Sequence, residues 1–254
     1  VKSPTVAPLQ RIRLVAPLRR TESGSGTFLA LCSDGENWWV KAPGNPQGVR
    51  TLAAEVVVSG VGELIGAPVR PTCLVEIPSA FEWRYTAQDR LRGGIGHGSR
   101  HVESAVVSDE WVTYSRHDDN HARQARLLGL WDLCMGGDAQ WLHDPVEDFT
   151  VWSFDHGFWL GGDGYWDGDS IRSIGDRGWT YDLEPTVTSR AALEAVADEI
   201  ESLDSASIRS VVERVPVEWS IDSSDLTALA SVLAVRTEGV ALRLRAAART
   251  TSFA

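Results

Sequence analysis

The sequence predicts an α+β fold, a small antiparallel sheet with one helix followed by a mainly helical part, on three observations. Residues 9–18 and 27–32 alternate apolar and polar side chains, as half-buried strands do. Leu52, Val56, Val57, Val61 and Leu64 recur at helical spacing between 49 and 65. The segments 189–203, 206–212 and 224–248 close the chain, with Ala192, Val196 and Ile200 four residues apart and Leu226, Leu229, Val232 and Leu233 along one face.

The first element is a meander. Residues 37–41 form a third short extended run, and 22–26 and Asp34-Gly35 supply the turns. Within the first turn, Gly24 and Gly26 lack side chains, so the loop reads either as a cover that lets backbone approach a ligand or as a flexible hairpin. The helix of 49–65 stops at Gly66-Ala67-Pro68, and 69–77 reads as a further strand ending at Pro78. Residues 93–100 are the most glycine-dense stretch and read as a loop. Residues 109–114 and 120–135 look helical, the second opening at Asp118 or Asp119 as N-cap. The acidic stretch 161–169 lacks the ordered ligand spacing of a calcium loop and reads as solvated.

At 254 residues the chain is long enough for one two-part unit or one domain with a helical tail. A net charge of -11 argues against broad nucleic-acid binding, which needs lysine and arginine to displace counterions. Arg11, Arg13, Arg19 and Arg20 form a local basic group, either a solvated strand face or a contact for an acidic partner. Cys32, Cys73 and Cys134 lie far apart, so neither a disulfide framework nor a cysteine zinc site is indicated. No run approaches the roughly 20 apolar residues of a membrane span, and no apolar signal core opens the sequence. The expectation is a soluble, cytoplasmic protein. Two His-x-x-x-His pairs, His97 with His101 and His117 with His121, sit in a glycine-rich loop and at a helix start, so neither makes a sound helical zinc site. Most of the eleven tryptophans are expected to anchor the core.

Chemistry concentrates at three places. Lys41 closes an apolar strand and Glu55 follows one helix later; the pair reads either as a lysine held for nucleotide phosphates or as a strand-end lysine beside a solvated glutamate. Asp155 stands directly after an apolar strand and ahead of Gly157, so the strand holds the carboxylate still and the glycine lets the backbone turn away. Asp138 follows a buried-looking helix and the turn Gly136-Gly137.

Taken in order, Val40-Lys41 with Asn45-Pro46-Gln47-Gly48 and Glu55, Gly98-Ser99-Arg100, Gly137-Asp138, Asp155-His156-Gly157 and Pro216-Val217-Glu218-Trp219 resemble the HipA-like kinase family. That family is a branch of the protein kinase-like fold, related to serine/threonine kinases and phosphatidylinositol kinases. The resemblance implies a two-lobed kinase-like fold, with an N-lobe over 1–78 and a helical C-lobe over 79–254. It implies an ATP-dependent phosphotransferase acting on a hydroxyl of a protein or small molecule, with ATP and Mg2+ as cofactors. Lys41 would then hold the phosphates, with Glu55 orienting it, and Gly24, Gly26, Ser99 and Arg100 would approach the nucleotide. Glu76 and Ile77 would meet the adenine at a hinge, Asp138 would act on the acceptor hydroxyl, and Gln140 and Asp155 would bind the metal. Family members carry a polar residue, usually Asn, before the catalytic aspartate; here Gly136 and Gly137 precede it and Gln140 follows at a shortened distance, with His143 or Asp144 as further metal-ligand candidates. That departure keeps open a nucleotide-binding pseudokinase acting as a regulatory or interaction module, and AMP transfer uses much the same cleft. The acceptor is not identified by these residues.

Overall fold

The computed structural model describes residues 6–84, 90–162, 164–179 and 183–251. Five strands, β1 (Arg11–Arg20), β2 (Phe28–Cys32), β3 (Asn37–Lys41), β4 (Thr72–Ile77) and β5 (Gly94–Arg100), close into a barrel in the order β1-β2-β3-β5-β4. The expected sheet was wholly antiparallel. The barrel departs from it at one seam, where β1 runs parallel to β4 with Ile12 opposite Val75. Closure removes the unpaired edges that an open sheet would leave.

The glycine-dense stretch at 93–100 is β5 itself and not a loop, a correction with a packing cause. A Cβ at Gly96 would lie 2.7 Å from the Lys41 carbonyl oxygen, and one at Gly98 would lie 2.8 Å from Cys73 Sγ. The glycines permit close strand approach inside the barrel rather than flexibility. Phe28, Trp38, Val40, Cys73 and Val75 fill the barrel's own core.

The second core is built on helices α1 (Val49–Leu64), α2 (Asn120–Leu133), α3 (Gly168–Ile174), α4 (Arg190–Glu201), α5 (Ser205–Val212) and α6 (Ser223–Thr250). A three-stranded sheet of β6 (Val106–Ser108), β7 (Trp141–Asp144) and β8 (Thr150–Ser153) packs beside α2. Helix α1 is buried without interruption from Thr51 to Gly62, so it is a core helix on all sides and not the one-faced helix its apolar stripe predicts. It belongs to this second core, against α5 and α2, while its N-terminus is tied to the barrel. Of residues 109–114, expected to be helical, 109–110 are irregular and 111–114 form turns. In the acidic stretch, Asp163 lies outside the described residues, and Asp167 caps α3: its carboxylate accepts from the Ser170 amide at 2.8 Å. Its own amide donates to Ser170 Oγ at 2.8 Å, completing a capping box.

All three cysteines are free and buried. Among the described residues no helix is long and apolar enough to cross a membrane. The Trp219 indole donates to the Ile95 carbonyl at 2.7 Å, tying the segment before α6 back to β5.

A buried ion network joins α2 to α6. Asp132, fully buried, accepts from Arg236 Nη2 at 3.0 Å, from Arg243 Nε at 2.7 Å and from the Trp179 amide at 3.0 Å. Arg236 is also fully buried and reaches the Leu133 and Gly175 carbonyls. Removing the carboxylate strands a guanidinium in the core, so Asp132→Ala is expected to lower the unfolding free energy by about 3–5 kcal/mol in urea titration. A loss below about 1 kcal/mol would contradict this role.

Candidate functional site

The site begins with a turn. Asn45 Nδ2 donates to the Ala42 and Gly48 carbonyls at 3.0 and 3.2 Å, and its Oδ1 accepts from the Gln47 amide at 2.9 Å. Thr51 Oγ1 donates to the Gly48 carbonyl at 2.7 Å. These bonds join the end of β3 to the start of α1, and thereby fix Lys41 relative to Glu55.

Lys41 Nζ donates to Glu55 Oε1 at 2.5 Å and also to Asp155 Oδ1. The lysine and glutamate side chains are 6 % and 4 % exposed, whereas Asp155 is 31 % exposed. Burial alone lowers the lysine's affinity for its proton, but Asp155 and Glu55 overcome it and raise the pKa above the usual value. Burial likewise opposes ionisation of Glu55, yet the Lys41 ammonium and the bonds from His156 hold that carboxyl well below its ordinary range. The solvated-glutamate alternative is therefore excluded by burial.

Asp155 adopts the left-handed conformation at φ 56, separated from the end of β8 by Phe154 alone. His156 then turns into the interior: its amide donates to Glu55 Oε2 at 3.0 Å, and its Nε2 lies 2.8 Å from Ser153 Oγ. The Ser153, His156 and Glu55 chain has the order of a hydrolytic triad, but Ser153 is fully buried and does not line the cavity. Its effect is to lock Glu55 to the segment that carries Asp155. A Cβ at Gly157 would sit 3.2 Å from Thr51 Cβ and 3.3 Å from Lys41 Nζ, a tight fit beside the ammonium.

Lys41, Glu55 and Asp155 line one cavity of about 330 Å³, a size suited to a small ligand. Ser99 and Arg100 line it from β5, and Gln140 and Leu142 from the start of β7. Of the turn at 21–27, Thr21, Ser23 and Thr27 face the cavity, linked by hydroxyl contacts such as Thr21 Oγ1 to Ser23 Oγ at 2.7 Å. Gly24 and Gly26 shape that turn, with Gly26 at φ 63, but are not among the lining residues. Asp138 is exposed and accepts from Gln140 Nε2 at 3.0 Å, beside the cavity and not in its wall. Gly136 and Gly137 are demanded by packing: a Cβ on the first would lie 2.2 Å from Trp131, and on the second 2.6 Å from the Phe158 carbonyl oxygen.

Glu76 and Ile77 are not in the wall. Both sit inside β4, paired with β5, and the Ile77 side chain is buried in the barrel core. The segment after β5 lines the cavity instead, through His101, Val102 and Glu103. The sequence reading missed it because the glycine content hid the strand that precedes it. It also missed Arg70 and Leu142, which carry no motif, and read Arg19 only as part of a basic group on the first strand. His97 and His101 lie on one extended strand and just beyond it, about 13 Å apart at strand spacing, too far to share a metal ion. Among the described residues, no group of three His, Cys, Asp or Glu side chains could hold a metal ion.

His97, opposite Lys41 in the β3–β5 register, is buried beside Lys41, Glu55, His156 and Asp155. Burial holds its pKa down to about 4, so it is neutral near pH 7. As pH falls, the unfolded chain takes up this proton first, so stability is lost between about pH 6.5 and 4, by about 3 kcal/mol. Thermal unfolding of His97→Gln against the parent is expected to reduce that slope, leaving the contributions of His101 and His143, whose pKa values burial also lowers; an unchanged slope would contradict it.

Residues 15–134 match the family described as HipA-like kinase. No match was found among curated proteins. Among solved structures, the Helicobacter pylori proinflammatory kinase CtkA matches with a TM-score of 0.61 at 11 % identity, over 98 % of this chain and 100 % of that one. The Golgi casein kinase matches at 0.48, over 94 % of this chain and 73 % of that one, and its Mn/ADP-bound structure at 0.46, each at 11 % identity. Residues 15–134 are thus similar in sequence to the HipA-like kinase family, and the chain as a whole shares the fold of the CtkA structure.

Proposed function

We propose that the chain is a nucleoside-triphosphate-dependent phosphotransferase of the HipA-like type, with ATP the donor that the family likeness implies. The observation that carries this reading is the convergence of Lys41, Glu55 and Asp155, from three separate segments, on one cavity. The barrel and α1 then act as the N-lobe, with the chain dividing near residue 78 and β5 returning to the sheet, and the remainder acts as the C-lobe.

Lys41 holds the phosphates, and Glu55, fixed by His156, keeps its ammonium in place. The hydroxyls of Thr21, Ser23 and Thr27 cover the phosphates from above. Asp155 and Gln140 offer a carboxylate and an amide oxygen to one cavity, a hard donor set that suits Mg2+ completed by phosphate oxygens and water. A bound Mg2+ would neutralise charge on the transferring group. Asp138 positions the acceptor hydroxyl from the rim, where its bond to Gln140 orients it.

A second reading, a nucleotide-binding module without turnover, is favoured by one observation. The packing that demands Gly136 and Gly137 leaves no polar side chain ahead of Asp138. Calorimetric titration of ATP with Mg2+, with released ADP followed in the same samples, separates the two. Affinity is expected to fall at least about tenfold in Lys41→Ala, and ADP release to vanish in Asp155→Ala while its thermal unfolding stays cooperative. Metal-dependent binding with no ADP supports the binding module. No binding of any nucleotide would overturn both readings.

A further inference from the structure

The end of the cavity remote from Lys41 has a chemistry that the phosphate machinery does not use. Its position follows from register: Lys41 pairs with His97, Trp39 with Ser99, and the His101 amide donates to the Asn37 carbonyl at 3.0 Å. Successive levels on one face of a strand lie about 6.8 Å apart. The wall therefore passes Trp39 one level from Lys41 and reaches His101 two levels away, about 13 Å along.

The middle level is built for a flat apolar ring. Trp39 faces it from β3, and Leu142 and Val107 line it from β7 and β6. Arg19 is already engaged there, its guanidinium carbon 5.3 Å from the Trp39 ring centroid. The far level is rich in donors. Arg100 is neutralised by Glu36 at 2.8 Å, and Glu103 lines the same end. Arg70 stacks over Trp152 at 4.8 Å and spends only its Nε, on the Arg100 carbonyl at 3.4 Å. Asp144 and Glu147 attract it from beyond ion-pair distance, and among the described residues its two Nη atoms have no hydrogen-bond partner. His101 keeps a buried Nδ1 without a partner.

With Arg100 paired and Glu103 alongside, the surplus positive charge at this end is small, which suits a ring carbonyl better than a further phosphate. A purine ring against Trp39, with its phosphates at Lys41, would direct one edge toward Arg70. Adenine offers an amino donor at C6, which opposes a guanidinium. A 6-oxopurine offers O6 and N7 as acceptors, which a guanidinium fork meets with two parallel bonds.

Resting on the nucleotide reading above, we propose that Arg70 makes this cavity select a 6-oxopurine nucleotide, guanine or hypoxanthine, over an adenine nucleotide. Arg70 is then a specificity-determining residue, placed by the Val69–Ser153 bridge and by its stack on Trp152.

The test is parallel calorimetric titration of GTP, ITP and ATP, each with Mg2+, on the parent chain, Arg70→Gln and Arg70→Lys. The expected result is GTP and ITP about tenfold tighter than ATP on the parent. Both variants should lose that ratio through weaker GTP and ITP binding, with ATP affinity within about twofold of the parent. The lysine variant keeps the charge without the fork, so it gives the answer even if the glutamine variant fails to fold. ATP binding as tightly as GTP and ITP overturns the proposal while leaving the nucleotide reading intact. ITP behaving like ATP overturns it too, because the 2-amino group and not O6 would then be read. No binding of any of the three overturns the nucleotide reading and this proposal with it.

Discussion

The constraint on which this structure turns is the burial of one ammonium. Lys41 closes a barrel strand, yet its charge lies inside the protein, where it requires carboxylates supplied from elsewhere in the chain. Glu55 comes from a helix of the second core and Asp155 from the end of β8. The barrel and the helical body are therefore joined by a charge requirement as well as by apolar contact. The segment Asn45-Pro46-Gln47-Gly48 serves the same end, since its side-chain bonds set the geometry between β3 and α1.

Asp155 differs from Glu55 in kind. It is the exposed member of the trio and stands in the left-handed conformation, so its carboxylate faces both the lysine and the open cavity. Glu55 is held on its other side by His156, whose bond to Ser153 returns to β8. Movement of the 155–157 segment would therefore disturb Glu55 through the His156 amide. A metal ion and phosphates entering the cavity would compete with Lys41 for Asp155, while the Lys41–Glu55 bond could persist.

Much of this was legible in the sequence where periodicity is strong. Helices α1, α2, α4, α5 and α6 follow from apolar spacing, and Lys41, Glu55 and Asp155 could be singled out by what flanks them. Strand β5 was not legible, because glycines that allow close packing look the same in sequence as glycines that allow motion. Glu76 and Ile77, chosen from their place ahead of Pro78, lie inside a barrel strand and outside the cavity wall, which the segment after β5 helps to form. The paired glycines before Asp138 could be read as a departure from the family pattern, but their cause, contact with Trp131 and Phe158, exists only in three dimensions. Arg70 carries no motif at all; it matters because Trp152 and the end of β5 lie beside it.

The most direct measurement is a double-mutant cycle on unfolding free energy between Lys41→Met and Glu55→Gln, at neutral pH and without nucleotide. If the buried pair holds the barrel to the helical body, the coupling is expected to reach about 2 kcal/mol or more. A coupling below about 0.5 kcal/mol, with the two substitutions simply adding, would contradict the account.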